Sequence, residues 1–171
     1  MGHKIIKFKN LEPKIHESVY IADGVVIAGD VTIAENANIW FNTVIRGDVA
    51  PVTIGQNTNI QDGCVVHTSR FDGPTDIGSN ITIGHMALIH ACTIEDNAFI
   101  GMQSAIMDKA IIEEFGFVGA GSLLPPGKVV KKKELWVGSP AKFIRNVTDE
   151  ELDFMRGNVE NYLSLSSEYK K

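Results

Sequence analysis

Residues 94–130 read IEDNAFIGMQSAIMDKAIIEEFGFVGAGSLLPPGKVV, and an aliphatic residue returns at every sixth position of this stretch. The residue two places before each aliphatic one is small in most units, as at Ala98, Ser104 and Ala110. Apolar positions two apart, followed by four mostly polar ones, are typical of a short strand and a tight turn, because a helix repeats about every 3.6 residues. The stretch therefore predicts a stack of six-residue units.

The same period runs through most of the chain. It starts at Ile15, ends at Trp136 and gives twenty repeats. In a hexapeptide solenoid each repeat forms one face of a triangular prism, three repeats complete a coil, and each strand pairs with the strand one coil later. Twenty repeats therefore predict about seven triangular coils. We expect residues 1–140 to form this all-β domain, a parallel β-helix.

A different period follows the solenoid. We expect residues 141–171 to form a linker and a C-terminal amphipathic α-helix that packs on the β-helix, with the helix at roughly 149–168. Thr148 and Glu151 have the spacing of a capping box at its start. The apolar residues then recur at helical spacing: Leu152, Met155, Val159, Tyr162 and Leu163.

Composition excludes several classes of function. The 171 residues carry 16 Lys and Arg against 21 Asp and Glu, a net charge of −5, which offers no basic surface for nucleic acid. No apolar run approaches the roughly 18 residues that span a bilayer, and the first ten residues lack the apolar centre of a signal peptide. We expect no membrane partner and a cytoplasmic location. Cys64 and Cys92 occupy small inward positions of the repeat, which predicts reduced core residues.

The six-residue period is broken three times, and all three breaks lie between Ile45 and Ile94. Three residues are inserted before Ile54, five are inserted before Ile77, and one is missing before Ile94. Polar residues suited to chemistry collect in the same stretch: Arg46, Asp48, Gln61, Asp62, His67, His85 and His90. This coincidence marks the stretch as the candidate site.

The repeat predicts that His67 and His90 lie in one column. Each directly follows an aliphatic residue, Val66 or Ile89, and these two are three repeats apart, so they share a prism face in successive coils. Arg46 has the same position one coil earlier. Neighbouring strands lie roughly 4.8 Å apart, which is close enough for two imidazoles to hold one ion.

His85 follows a different face of the prism, because Ile83 shares its phase with Ile60 rather than with Val66. One chain is therefore not expected to bring the three histidines together. Identical prisms around a threefold axis would bring the His67 and His90 edge of one copy to the His85 edge of the next, a heterologous contact that closes into a ring of three.

Three histidines leave a fourth ligand position for water, which is typical of a catalytic metal. A bound metal lowers the pKa of that water to about 7 and supplies hydroxide at neutral pH. Arg46 could pair with Asp48 or Asp62 to hold the interface, and the Gln61 amide could orient the hydroxide or a bound anion.

The sequence resembles the γ-class carbonic anhydrase family, including its shorter bacterial members known as carbonic-anhydrase-like or transferase-hexapeptide proteins. The resemblance covers nearly the whole chain and rests on four segments: WFNTVIRGD at 40–48, NIQDGCVVH at 59–67, IGHMALIHACTI at 83–94 and GSPAK at 138–142. It implies a left-handed prism, a homotrimer, and Zn(II) or Fe(II) held between subunits. A three-histidine site also accepts Co(II).

The resemblance also implies roles for individual residues. His67 and His90 would ligate the metal from one chain and His85 from the next. The family's ion-pair network and hydroxide-orienting positions match Arg46, Asp48, Gln61 and Asp62, and a tyrosine of its terminal helix that approaches the metal pocket matches Tyr162.

The sequence departs from the family at the proton path. Archetypal members have a glutamate after the RGD-type aspartate and an acidic loop after the first histidine. Here Val49 takes the first position, and the loop TSRFDGPTD contains no glutamate. Asp72 and Asp76 are candidate substitutes, although aspartates beside Gly and Pro are often turn formers. Slow proton export is expected.

Three functions follow as hypotheses. The leading one is reversible hydration of CO2 to bicarbonate by metal-bound hydroxide at the trimer interface, with CO2 and bicarbonate as small-molecule substrates. The second is acyl transfer, or metal-assisted hydrolysis of a CoA thioester, since hexapeptide trimers also support these reactions. The third is a noncatalytic binding or assembly protein whose metal only fastens the trimer.

Overall fold

Twenty strands and one helix make up residues 2–170, the part of the chain that the computed structural model describes. The strands of the first half are β1 (Lys4–Ile6), β2 (Lys14–Ile15), β3 (Tyr20–Ile21), β4 (Val26–Ile33), β5 (Asn38–Ile39), β6 (Val44–Ile54), β7 (Asn59–Ile60), β8 (Val65–His67), β9 (Thr75–Ile77) and β10 (Thr82–Ile83). Those of the second half are β11 (Leu88–His90), β12 (Thr93–Ile94), β13 (Phe99–Ile100), β14 (Ala105–Ile106), β15 (Ile111–Ile112), β16 (Phe117–Val118), β17 (Leu123–Leu124), β18 (Val129–Val130), β19 (Glu134–Gly138) and β20 (Ala141–Asn146). The helix is α1 (Asp149–Tyr169).

The strands form a parallel, left-handed solenoid of about seven triangular coils, as the repeat and the resemblance predict. One face stacks β8, β11, β14 and β17, a second stacks β9, β12, β15 and β18, and the third runs from β3 to β19. The long strand β6 pairs with both β8 and β9, so it crosses the corner between the first two faces. The three residues inserted after Ile45 lie within this continuous strand.

Aliphatic residues at the repeat positions fill the interior of the prism. Ile45, Val66 and Ile89 stack directly on one another across β6, β8 and β11, and all three are fully buried. Complete burial of one such side chain stabilises the folded state by about 1.5–3 kcal/mol, so the repeated stack fixes the register of successive coils. Cys64 and Cys92 are buried in the same core, as predicted.

The corners of the prism use backbone in the left-handed region. The third residue after the repeated aliphatic residue has a positive φ in most coils, and asparagine often occupies the position, as at Asn57, Asn80 and Asn97. Asparagine visits this region at low cost because its short side chain bonds to nearby backbone. The corner polar residues thus follow from the backbone that a tight triangular turn requires.

The C-terminal helix begins with the predicted capping box. Thr148 Oγ1 accepts the Glu151 N–H, and the Glu151 carboxylate accepts the Thr148 N–H. Arg145 donates two hydrogen bonds to Glu151 at 2.8 and 2.9 Å, and this pairing lowers the pKa of Glu151 to about 2. Leu152 and Met155 are buried against the prism.

Among residues 2–170, the structure contains no helix with the length and apolar character of a membrane span.

Part of the stretch expected as a linker forms a strand. Ala141–Asn146 is β20, which pairs antiparallel with β19 at the end of the third face. The chain therefore reverses direction once before the helix starts. Its alternation is weak, since only Ala141 of the six residues is buried, and this is why the sequence pattern did not indicate a strand.

Gly101 and Gly121, near one corner of the prism, are suited to glycine for two different reasons: a close contact between coils and a positive φ. A Cβ on Gly101 would lie 2.3 Å from the backbone nitrogen of Ala120 in the next coil, whereas a Cβ on Gly121 would meet open space but at a φ of +67°. We predict that Gly121→Ala lowers the free energy of unfolding by about 1 kcal/mol through backbone strain alone. Gly101→Ala should lower it further, because two coils must separate. Denaturant unfolding of both variants checks this, and equal losses would contradict the close-contact argument.

Candidate metal centre

His67 and His90 lie side by side at the end of two paired strands. The parallel register of β8 and β11 sets the two residues opposite each other, one coil apart, as the repeat predicts. His67 Nδ1 lies 3.2 Å from His90 Nε2. Both side chains are partly exposed at the edge of the prism, so the pair is open to solvent or to another chain.

A carboxylate holds the second nitrogen of each ring. Asp48 Oδ1 lies 3.1 Å from His67 Nε2, and Asp108 Oδ1 lies 3.1 Å from His90 Nδ1. A carboxylate accepts hydrogen bonds, so both of these ring nitrogens carry hydrogen. In neutral imidazoles the remaining nitrogens then have lone pairs that face each other across 3.2 Å. Two converging lone pairs need a proton or a cation between them.

The spacing of these nitrogens fits a divalent metal. Tetrahedral Zn(II) binds imidazole nitrogen at about 2.0–2.1 Å, which separates two ligand nitrogens by about 3.3 Å. The observed 3.2 Å between His67 Nδ1 and His90 Nε2 agrees with this value. Carboxylates on the far ring nitrogens are also typical of metal-binding histidines, because they fix the tautomer and orient the ring. The donor set therefore fits the ion that the sequence pattern indicates.

His85 lies apart from this pair. It follows β10, which belongs to the third face of the prism, and its Nδ1 lies 2.7 Å from Asp62 Oδ2. Its Nε2 is 3.5 Å from the Tyr162 hydroxyl. Within residues 2–170 of one chain, no three His, Cys, Asp or Glu side chains are placed to share a metal ion. The single chain therefore presents a two-histidine edge and a one-histidine edge.

Gln61 supports His85 from below. Its side chain is 4% exposed, its Oε1 accepts the His85 backbone N–H at 3.2 Å, and its Nε2 donates to Asn59 Oδ1 at 3.1 Å. The sequence analysis predicted that the Gln61 amide orients a hydroxide or a bound anion. In the structure it first fixes the backbone that carries His85, and one hydrogen on Nε2 remains for a further acceptor.

Arg46 pairs with the first of the two carboxylates suggested for it. Its guanidinium lies 2.5 Å from Asp48 Oδ2, whereas Asp62 pairs with His85. Partial burial opposes ionisation of Asp48, but hydrogen bonds from Arg46 and His67 outweigh it and hold the pKa of Asp48 below its usual value. Asp48 is thus kept charged and aimed at His67.

The C-terminal helix places Tyr162 at the edge of a cleft beside His85. The ring packs edge-on against Trp40 with centroids 5.3 Å apart. Burial, and then the nearby Asp62 carboxylate, raise the pKa of Tyr162, so the phenol keeps its proton at neutral pH.

The cleft beside His85 has a volume of about 350 Å3 and lies between α1 and the prism. Its polar end is formed by Gln61, His85 and Tyr162, and its apolar end by Phe99, Phe117 and Phe154.

The two candidate proton acceptors are both engaged. Asp72 forms an ion pair with Lys109 at 2.6 Å, and the hydrogen bond from Lys109 lowers the pKa of Asp72. Asp76 accepts a hydrogen bond from Thr53 at 2.7 Å. A carboxylate with a lowered pKa accepts protons poorly near neutral pH, so Asp72 is not suited to the role of a proton shuttle.

Sequence reasoning missed Asp108. The residue lies one coil beyond His90, because β11 pairs with β14 and places Ile106 beside Ile89. Extending the column Arg46, His67, His90 by one coil reaches Met107, one position before Asp108. The repeat could therefore have brought attention to this coil. It could not show that the aspartate, rather than the methionine, turns toward the imidazole.

The two cysteines are not metal ligands here, although both belong to the candidate stretch. Cys64 and Cys92 are buried inside the prism, and burial raises the pKa of each thiol to about 12. Metals bind the thiolate. The protonated, enclosed thiols agree with the core role predicted for them.

Comparison with known proteins identifies similar chains over most of this one. The bacterial transferase hexapeptide family (six repeats) matches residues 12–47. A protein of Geobacillus kaustophilus named carbonic anhydrase is 45% identical over 97% of this chain and 91% of its own length. The mitochondrial gamma carbonic anhydrase 2 of Arabidopsis thaliana is 40% identical over 90% of this chain. The present chain covers only 57% of that longer relative.

A solved structure shows the same fold under a different description. A Bacillus cereus protein, described as a candidate acetyltransferase, superposes with a TM-score of 0.97 and is 42% identical, covering 99% of this chain and 98% of its own. Proteins that are 40–45% identical to this chain therefore carry names from two enzyme classes, and the geometry of the site has to decide between them.

We predict that both cysteines resist alkylation in the folded protein. Because their pKa is about 12, the thiols stay protonated at pH 8 and are also shielded by the core. Intact mass after iodoacetamide treatment should show no adduct on native protein and two adducts after unfolding in denaturant. Rapid alkylation of native protein at pH 8 would contradict this assignment.

Proposed function

The chain belongs to the γ-class carbonic anhydrase family, and on that basis we propose that it catalyses the reversible hydration of CO2 to bicarbonate in a site shared between copies of the chain. The observation that carries the proposal is the His67 and His90 pair. Two imidazole nitrogens converge to 3.2 Å while Asp48 and Asp108 hold the far nitrogens, and this arrangement suits a divalent cation.

The proposed ligands are His67 and His90 of one copy and His85 of the neighbouring copy. Zn(II) is the preferred ion, and Fe(II) or Co(II) would suit the same three imidazoles. When bound, such an ion lowers the pKa of a coordinated water to about 7 and so supplies hydroxide for attack on CO2.

Exposed apolar residues beside the His67 and His90 pair favour association with another copy of the chain. Val65 and Leu88 directly precede the inward residues of β8 and β11, point outward, and are 41% and 36% exposed. They form an apolar patch next to the histidine pair, and a patch of this kind favours contact with another protein surface. A heterologous contact between this edge and the His85 edge closes into a homotrimer with three equivalent sites.

Three carboxylates orient the three imidazoles. Asp48, Asp62 and Asp108 each accept a hydrogen bond from one ring nitrogen and leave the other nitrogen available.

Three further residues support the imidazoles and their carboxylates. Arg46 keeps Asp48 ionised, and Gln61 fixes the backbone of His85. Tyr162 retains its proton and lies close to the available nitrogen of His85, so its hydroxyl can donate a hydrogen bond to a bound oxygen in the cleft.

Proton export is expected to limit the rate. Each hydration cycle releases one proton, and the groups nearest the histidine pair in the insertion, Asp72 and Asp76, are already bonded to Lys109 and Thr53. Glutamate is missing from the same loop. We therefore propose slow turnover, with buffer molecules as the main proton acceptors.

A second candidate is acyl transfer to or from CoA, or hydrolysis of a CoA thioester. One observation favours it: His85 Nδ1 lies 2.7 Å from Asp62, and the carboxylate leaves Nε2 free in the manner of an oriented general base. The candidate acetyltransferase of Bacillus cereus shares the fold. A general base needs no partner histidines, however, and the 3.2 Å approach of His67 to His90 is then without a purpose.

We predict about one Zn or Fe per chain in wild-type trimer purified without oxygen, and loss of most of it in His85→Ala. The ion should be lost because one of its three imidazoles is removed. Elemental analysis of gel-filtered protein measures the content. His16→Ala is the matched control, since His16 is exposed and, within residues 2–170, its side chain forms hydrogen bonds only with nearby Ser18.

Two outcomes of this experiment discriminate among the hypotheses. A metal-free trimer that also fails to take up added Zn or Fe would overturn the carbonic anhydrase proposal, and acyl-CoA substrates would then be assayed. A metal-loaded trimer with no CO2 hydration, in wild type and in Gln61→Ala alike, would indicate a metal that only fastens the assembly.

Asp108→Asn should weaken Zn(II) binding by about 10- to 100-fold, because the amide orients His90 without the negative charge that increases its basicity. Competition with a chromogenic chelator measures the affinity without any assay of catalysis. Asp76→Asn is the control, since Asp76 bonds to Thr53 rather than to a histidine. Equal affinities for Asp108→Asn and wild type would show that Asp108 does not support the metal.

A further inference from the structure

Phe71 is an apolar side chain fully presented to solvent. It lies in the loop between His67 and β9, where five residues are inserted into the repeat, and it is 91% exposed. None of the other exposed large hydrophobic residues among residues 2–170 exceeds 57%. Exposed aromatic side chains of this kind are enriched at protein interfaces, where they insert into pockets.

The loop that carries Phe71 is held in place by its own hydrogen bonds. Ser69 and Gly73 exchange two backbone hydrogen bonds of 3.1 Å, and the Ser69 hydroxyl accepts the N–H groups of Phe71 and Asp72. Asp72 is further fixed by its ion pair with Lys109. The loop therefore presents Phe71 in a defined position, which lowers the entropic cost of binding.

The cleft beside His85 offers an open apolar surface of matching character. Phe99 packs on Phe117 and Phe154 with ring centroids 4.6 and 5.4 Å apart. Phe154 and Met102, which line the same cleft, are each 52% exposed. These rings leave room for a further aromatic side chain in an edge-to-face or offset arrangement.

Phe71 and the cleft lie on the two edges that the proposed trimer brings together. Phe71 is four residues after His67, and the cleft has His85 in its wall. We infer that Phe71 of one copy packs against Phe99, Phe117 and Phe154 of the neighbouring copy and closes the apolar end of the cleft beside the shared histidines. The inference rests on the proposed function, because it uses the same interface.

The charges around the two surfaces are complementary. Arg70, next to Phe71, is exposed and makes no hydrogen bond or ion pair with residues 2–170 of its own chain. Glu150 lies one helical turn before Phe154, on the same face of α1, and is also exposed. Seating Phe71 beside Phe154 would thus bring an unpaired cation close to an acidic helix start.

The contact would define what the site admits. Phe71 occupies the phenylalanine end of the cleft and leaves the polar end, with Gln61, His85 and Tyr162, to substrate. The space that remains suits a small molecule such as CO2 and excludes a long acyl chain. The loop thus acts as a size filter contributed by a second copy.

Disulfide trapping tests the contact directly. Phe71→Cys combined with Phe154→Cys should give covalent dimers and trimers on mild oxidation with diamide, seen by non-reducing gel electrophoresis. Native Cys64 and Cys92 should not interfere, since both are buried. The matched control is Phe71→Cys with Leu165→Cys, which places the second thiol at another exposed position of the same helix.

The outcomes separate this inference from the proposed function. Cross-linking in the Phe154→Cys pair and not in the Leu165→Cys pair supports the inference. A metal-loaded trimer whose Phe154→Cys pair does not cross-link overturns the inference and leaves the carbonic anhydrase proposal standing. A wild-type chain that is monomeric by gel filtration overturns both.

A substitution without new thiols provides an independent check. Phe71→Ser should raise the Kd for trimer dissociation at least tenfold, as expected for loss of a buried aromatic contact, while the circular dichroism of the chain stays unchanged because the loop tip is exposed. Phe143→Ser, at a half-exposed phenylalanine outside the proposed contact, should leave this Kd unchanged. Equal values for Phe71→Ser and wild type would overturn the inference.

Discussion

The parallel register between successive coils is the constraint on which the rest of the molecule depends. An aliphatic residue at every sixth position is buried beneath its equivalent one coil later, as Ile45, Val66 and Ile89 are. A slip of one residue would turn each of these side chains outward, so burial locks the register at many positions together. This register places His67 opposite His90, because each directly follows one of the buried residues Val66 and Ile89. The 3.2 Å distance between their ring nitrogens therefore depends on the packing of the core.

The interruptions of the six-residue period form irregular segments that a regular solenoid lacks. The insertion after Ile45 lies in β6, which runs through Arg46 and Asp48 and continues round the corner of the prism. The insertion after Val66 makes the loop that presents Phe71, and the deletion after Ile89 shortens the corner next to His90. The candidate site residues thus lie on a rigid frame, and the irregular segments add exposed surface beside them.

The chemistry of the site is divided between structural layers. The imidazoles lie at the edge, where a metal and a neighbouring chain have access, and each is oriented by a carboxylate that belongs to an adjacent strand or turn: Asp48, Asp62 or Asp108. Gln61 lies deeper and fixes the backbone beneath His85. Arrangements in which an outer imidazole depends on an inner hydrogen bond keep ring orientation and tautomer constant.

Sequence alone determined the solenoid, the number of coils, the capped terminal helix and the column that joins Arg46, His67 and His90, because a period of six and the burial of its aliphatic residues leave one register available. It did not determine the left-handed backbone at the corners, the strand β20, the role of Asp108, or the choice of Arg46 for Asp48 and of Asp62 for His85. Those features depend on side-chain direction and on contacts between residues far apart in the chain. Periodicity places a residue on a face, but only packing in three dimensions decides which neighbour its side chain meets.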